Sequence, residues 1–158
     1  MNETDEKLFT ILENVIFLKK THLFSSLETD ELRTIALIIK QDLYKRGEQI
    51  VRENDYGDSL FVIKEGSVDI VKKVSEAKSI KLAELRVGDC FGEMALFDAE
   101  LRSASVYARE DCVLLNLRSD DINDILIDNP TIAIEFIKIF VKRLRKANAG
   151  IEKLMRNR

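Results

Sequence analysis

SLFVIKEGSVDIVKK, residues 59–73, carries the pattern that decides the fold of this chain. Two β-rich runs, SLFVIK and SVDIVKK, stand on either side of Gly66, a residue that turns through positive φ at low cost. Runs of the same kind recur from Gln41 to Arg118: DLYKR, EQIVR, SIKLAEL, SASVYA and CVLLNL. Between them lie turn residues at Gly47, Asn54-Asp55, Gly57-Asp58, Gly88-Asp89 and Glu110-Asp111. Short strands at such spacing predict an antiparallel sandwich or roll.

Helical patterns flank this β-rich centre. Leu8, Ile11, Leu12, Val15 and Ile16 fall at helical spacing, which predicts an amphipathic helix from about Glu3 to Lys19. THLFSSL interrupts it, and Thr29 is expected to cap a second helix carrying Leu32, Ile35, Ala36 and Ile39. After Arg118, SDDINDILIDN reads as a helix capped by Ser119, and the only proline, Pro130, suits the first turn of the next. That last helix carries Ile132, Phe136, Phe140, Leu144, Ala147, Ile151 and Leu154 or Met155 along one stripe. The expected class is α+β, with an antiparallel, jelly-roll-like β-roll of about eight strands between N-terminal helices and two C-terminal helices. The expected segments are 1–40 (N-terminal helical segment), 41–118 (roll) and 119–158 (closing helices), together one domain.

Composition narrows the class of function. The 158 residues suffice for one domain with its own core. Apolar residues make up 46% and charged residues 34%, a balance unlike that of a disordered chain. No apolar run reaches the roughly 18 residues of a membrane span, so no transmembrane segment is expected. MNETDEK is an acidic start, unlike a signal peptide. Cys90 and Cys112 lack metal-binding or C-x-x-C spacing and read as free thiols of a cytoplasmic protein. His22 is the only histidine, so neither a histidine metal cluster nor a Ser/His/Asp set can be built, and no enzyme is expected. The net charge of −3 divides into +6 for residues 131–158 and −9 for the rest. A basic helix face of that kind is commonly solvated.

The chemistry concentrates in FGEMALFDAELRSASV, residues 91–106. A short helix starting near Glu93 leaves backbone N–H groups free at its N-terminus. Gly92 lets a ligand approach that backbone closely. Arg102 adds a forked donor suited to phosphate oxygens. Glu93 would repel a bare phosphate, but it can accept a hydrogen bond from a hydroxyl of a sugar phosphate. The loop therefore reads as a site for a nucleotide whose phosphate and ribose lie side by side. A surface ion pair between Glu93 and Arg102 is the bland alternative.

The stretch resembles the phosphate-binding cassette of the cyclic nucleotide-binding domain family, whose pattern F-G-E-[LM]-[AG]-L, a loop, then R-[STA]-A-[ST] is matched by Phe91 to Leu96 and Arg102 to Ser105. Further signatures are the R-G-E-x-I pattern at Arg46 to Ile50, GDSLFVIKEGSV at 57–68 and LRVGDCFGE at 85–93. The resemblance implies that Glu93 accepts from the ribose 2′-OH and that Arg102 pairs with the cyclic phosphate. It implies that Gly92, Ala95 and Ser103 complete the cradle through backbone groups, with Met94 and Ala104 in the same motif. Ile70 and Leu82 match apolar positions that flank base and ribose. One departure stands out: Ala99, Glu100 and Leu101 occupy a loop that often carries glycine and proline, and Glu100 brings a negative charge close to the phosphate.

Ser103 after the arginine favours cyclic AMP over cyclic GMP, since members preferring cyclic GMP tend to carry threonine there. The last helix is expected to cover the base. By the register of the catabolite activator protein group, Ala147 and Asn148 lie where a residue meets the base edge, with Ile151 and Leu154 as an apolar alternative. The resemblance implies a sensor whose closing helices swing on binding to regulate a partner or fused domain. It leaves open a cyclic-GMP-binding regulatory domain, a dimeric sensor without its DNA-binding module, and a homodimer through the last helix. No direct DNA binding, metal or further cofactor is expected.

Overall fold

The computed structural model describes residues 2–157. Its helices are α1 (Glu3–Lys19), α2 (Thr29–Ile38), α3 (Ser119–Asp128) and α4 (Pro130–Arg156). Its strands are β1 (Lys40–Tyr44), β2 (Gln49–Val51), β3 (Ser59–Glu65), β4 (Val68–Ser75), β5 (Lys78–Leu85), β6 (Cys90–Phe91), β7 (Ser105–Ala108) and β8 (Cys112–Arg118). A 3-10 turn, Glu93–Leu96, follows β6. The eight strands form two antiparallel four-stranded sheets in the orders β1-β8-β3-β6 and β2-β7-β4-β5. The expected helix-flanked roll is the observed architecture.

A continuous apolar run requires two buried faces, and β3 has them. Leu60 and Val62 pack with Leu115 and Leu117 of β8 beneath the helices, in a core that includes Leu18, Phe24, Leu32, Ile122, Ile132 and Phe136. Phe61 and Ile63 point the other way, into the roll, against Phe91, Val106 and Leu114. Alternation along one strand thus feeds two cores, and the first sheet is the layer between them. Each fully buried Leu, Ile or Phe contributes roughly 1.5–3 kcal/mol of burial energy.

The helix boundaries hold to within a residue of the expected caps. Glu28, not Thr29, is the N-cap of α2, in a capping box with Glu31. α3 starts at Ser119 itself. Pro130 opens α4 as expected, where its missing N–H costs nothing.

Two apolar stripes fall differently from expectation. On α1 the buried residues are Asn14 and Leu18, while Leu8, Leu12 and Ile16 face solvent. The inward side is fixed by Leu18 in the core and by Lys64 Nζ, which donates to Asn14 Oδ1 at 3.2 Å. The stripe on α4 divides. Ile132 and Phe136 are buried, and Ile139 and Phe140 pack on the same core. Leu144, Ile151, Leu154 and Met155 are exposed. Among the described residues, no helix is long and apolar enough to cross a membrane.

Candidate functional site

A groove of about 330 Å³ opens beside the 3-10 turn, at the lower end of the range of small-molecule pockets. Its lining includes eight residues singled out in the sequence: Ile70, Gly92, Glu93, Met94, Ala95, Arg102, Ser103 and Ala104. The strand register sets the floor. β4 pairs with β7 so that Ile70 lies opposite Val106, and both line the groove. Leu82 and Asn148 lie outside this lining: Leu82 is half-exposed on β5 and Asn148 is exposed on α4.

Gly92 has φ +82°, a left-handed conformation that favours glycine, and it swings the chain from β6 into the 3-10 turn. That turn has only four residues, so local N–H groups, rather than a helix dipole, would serve an anion here. The Ala95 N–H already donates to the Gly92 carbonyl at 3.1 Å, and Ala95 and Leu96 are buried beneath the groove.

Arg102 enters from the loop that precedes β7, and its guanidinium lies against Gly92. Its backbone is clamped on both sides: its carbonyl accepts from Asn54 N–H, and its N–H donates to the Asp55 carbonyl, each at 2.8 Å. Asn54 tolerates the φ of 70° that this loop requires. The guanidinium reaches down, and Nη2 donates to the Ser59 carbonyl at 2.8 Å. Burial lowers the Arg102 pKa from its ordinary value, while Asp58 and Glu93 act in the opposite sense. Neither effect threatens its charge, since an arginine stays protonated throughout the physiological range.

Glu93 faces α4. Its Oε1 accepts from Arg143 Nη1 at 3.1 Å, and Arg143 Nη2 reaches Cys90 Sγ at 3.7 Å. Burial holds the Cys90 thiol pKa up, which keeps it protonated. Beside this pair, Phe97 meets Phe136 and Phe140 edge-on, with ring centroids 6.2 and 5.6 Å apart. Arg143 was not singled out in the sequence, although it stands on the Phe136/Phe140 side of α4, three residues past Phe140. The groove is also lined by Asp98 and Glu100, while the carboxylates that act on the Arg102 guanidinium are Asp58 and Glu93. Among the described residues, no group of three or more His, Cys, Asp or Glu side chains is placed to hold a metal.

A carboxylate and a guanidinium in one groove, with apolar side chains beside them, suit a ligand with an anionic and a hydroxylic end. The profile of the cyclic nucleotide-binding domain family matches residues 41–129, more than half of the chain and all of this groove. The chain belongs to the cyclic nucleotide-binding domain family. Among its relatives is the cyclic AMP receptor protein of Thermus thermophilus, 31% identical over 137 residues, which covers 87% of this chain and 63% of that protein. A cyclic-GMP-dependent protein kinase of Caenorhabditis briggsae is 33% identical over 124 residues, 76% of this chain but only 16% of the kinase. The N-terminal domain of a transcriptional regulator from Streptomyces coelicolor superposes with a TM-score of 0.79 at 27% identity, covering 85% of this chain and 94% of that one. As a cyclic nucleotide-binding domain, the chain spans less than two thirds of the length of these curated relatives.

Proposed function

We propose that this cyclic nucleotide-binding module is a non-catalytic sensor that prefers cyclic AMP to cyclic GMP and passes binding on to α4. The observation that carries the reading is the shared groove of Glu93 and Arg102, in which Glu93 is already tied to α4 through Arg143. The cyclic phosphate would meet Arg102, and the ribose 2′-OH would donate to Glu93. Because Arg143 uses Oε1, the other carboxylate oxygen can take the hydroxyl without breaking the pair. The ligand would then join Glu93, held to α4, with Arg102, whose backbone is held by Asn54 and Asp55. Ile70 and Val106 would support the ring system from below. Ser103 in place of threonine supports the preference for cyclic AMP.

The transfer to α4 follows from what Glu93 and Phe97 touch. Tightening Glu93 onto a ligand draws on Arg143 and on the Phe97–Phe136–Phe140 contacts together. A ligand shifts such an equilibrium only by its preference for one arrangement. The output would be a regulated partner or a fused domain, in a cytoplasmic setting.

A homodimer through α4 is supported by the exposed face of that helix. Ile134, Ile137, Val141, Leu144, Asn148, Ile151 and Met155 are all exposed, at alternating spacings of three and four. That is a heptad seam, with β-branched residues at Ile134 and Val141 and a polar residue at Asn148 in equivalent positions. Asn148 lies about 140° around the helix from Arg143, so it points away from its own Glu93. It would meet a base edge across a dimer, or pair with its counterpart in the seam.

Isothermal titration with cyclic AMP and cyclic GMP, run beside sedimentation at matching concentrations, tests both parts. Tighter cyclic AMP binding and a dimer are expected. Absence of binding by either nucleotide would end the sensor reading, and a monomer at high concentration would end the dimer.

A further inference from the structure

We infer that Gly57 is a positioning residue for Arg102: the side chain it lacks is the slot in which the guanidinium stem lies. The inference rests on the reading that Arg102 grips the ligand phosphate. Gly57 stands directly before Asp58 and β3, and its N–H donates to the Glu100 carbonyl at 3.1 Å, which holds it against the 98–102 loop. Arg102 passes between Gly57 and Gly92 on its way to the Ser59 carbonyl.

A Cβ at Gly57 would lie 2.7 Å from Arg102 Cδ and closer still to Nε and Cζ. No carbon tolerates such approaches, so something must move. The three nearest atoms all belong to one flexible side chain. The Arg102 backbone is clamped by Asn54 and Asp55, so the root of the arginine stays in place while its stem is turned out. The backbone of Gly57 is not in the left-handed region, so an alanine fits there without torsional strain. At Gly92 the situation is different. There φ is +82° and an added Cβ would lie 2.5 Å from the Ser59 carbonyl as well as from Arg102 Nη1. Substitution at Gly92 damages the fold and the site together. Substitution at Gly57 separates them.

Gly57→Ala should therefore weaken cyclic AMP binding by about 30-fold or more, as expected when a phosphate loses its charged partner. Its melting temperature should stay within about 2 °C of the parent, because a glycine-to-alanine change at a compatible φ is neutral or slightly stabilising. Calorimetric titration of the parent, Gly57→Ala, Arg102→Ala and the double variant with cyclic AMP, carried to millimolar ligand, provides the test. In the Arg102→Ala background the change at Gly57 should alter Kd by less than about 2-fold, because contacting residues are non-additive. Parent-like affinity in Gly57→Ala, or a further full loss in the double variant, would overturn the proposal. A second readout does not depend on the ligand. Modification by phenylglyoxal, followed by mass spectrometry with the other arginines as internal standards, should become faster at Arg102 in Gly57→Ala. An unchanged rate at Arg102 would also overturn the slot. If the parent binds neither purine cyclic nucleotide, the ligand reading fails, and the phenylglyoxal result still decides the slot.

Discussion

The two halves of the 91–106 loop are held by different parts of the molecule. Residues 93–97 are tied to α4, through Glu93–Arg143 and the Phe97 contacts with Phe136 and Phe140. Residues 101–105 are tied to the roll. Asn54 and Asp55 clamp the Arg102 backbone, and Tyr56 bridges to Leu101. Lys72 Nζ joins the Ser103 carbonyl to Glu53 Oε1, at 2.6 Å from each. Glu53 in turn donates its N–H to Ser105 Oγ. The first half therefore touches α4 as well as the β3 strand beneath it, whereas the second is held by the roll alone. A ligand that needs both is positioned to couple them, and substitutions should sort by the half they touch.

Arg102→Ala gives the largest effect. Among the described residues Arg102 is the only cation lining the groove, and a desolvated phosphate left unpaired costs ~2–5 kcal/mol, roughly 30- to several-thousand-fold in Kd. Far-UV circular dichroism should remain that of the parent. Calorimetry showing normal titration would remove Arg102 from the site.

Glu93→Ala comes next. Loss of a hydrogen bond to a charged acceptor costs about 1–3 kcal/mol, and discrimination between cyclic AMP and its 2′-deoxy analogue should vanish with it. If that discrimination persists, the hydroxyl is read elsewhere.

Lys72→Met should weaken binding less than Glu93→Ala does, by loosening the sheet-held half alone. Hydrogen exchange should speed up in residues 101–105 and stay unchanged in 93–97. The same tie depends on pH. Its hydrogen bonds to Lys72 and Lys73 hold the Glu53 carboxyl below its ordinary range. The tie is therefore present above the ordinary glutamate pKa and is lost as pH falls through the depressed value. Exchange in 101–105 that ignores this acid range would contradict the role of Glu53.

Arg143→Ala should change affinity least, since a partly exposed ion pair contributes about 0–1 kcal/mol, or within roughly 5-fold. Its effect should appear in coupling instead: ligand should no longer alter exchange in α4. If α4 still responds in full, the aromatic contacts alone carry the signal.

Much of this arrangement was legible in the sequence, and the gaps have physical causes. The strands were visible because short apolar runs alternate with turn residues, whereas the burial of both faces of β3 appears only once the helices are seen to cover the first sheet. Glu93 and Arg102 stood out because they fall on the cassette motif of the family, whereas their spacing alone left a surface ion pair open. Arg143 did not stand out. It lies in a helix rich in Lys and Arg, where composition cannot say which cation points inward. Its place three residues past Phe140 was the available signal. The α4 stripe was read as one face because its members follow one another at three or four residues, but steps of four drift, so Leu144 lies about 80° around the helix from Phe136. Leu144 is exposed, and none of the described residues buries it. The outward turn of Leu8, Leu12 and Ile16 on α1 was equally hidden, because periodicity reveals that a stripe exists but not what it packs on. Gly57 read as a turn residue, and only the path of Arg102 past it gives it a further role.

Hydrogen exchange across the whole chain, with and without saturating cyclic AMP, tests the coupling most directly. The account predicts that 93–97, 101–105 and 136–143 become protected together in the parent, and that 136–143 loses its response in Arg143→Ala. Protection confined to one half of the loop, or no change in α4 at saturation, would contradict it.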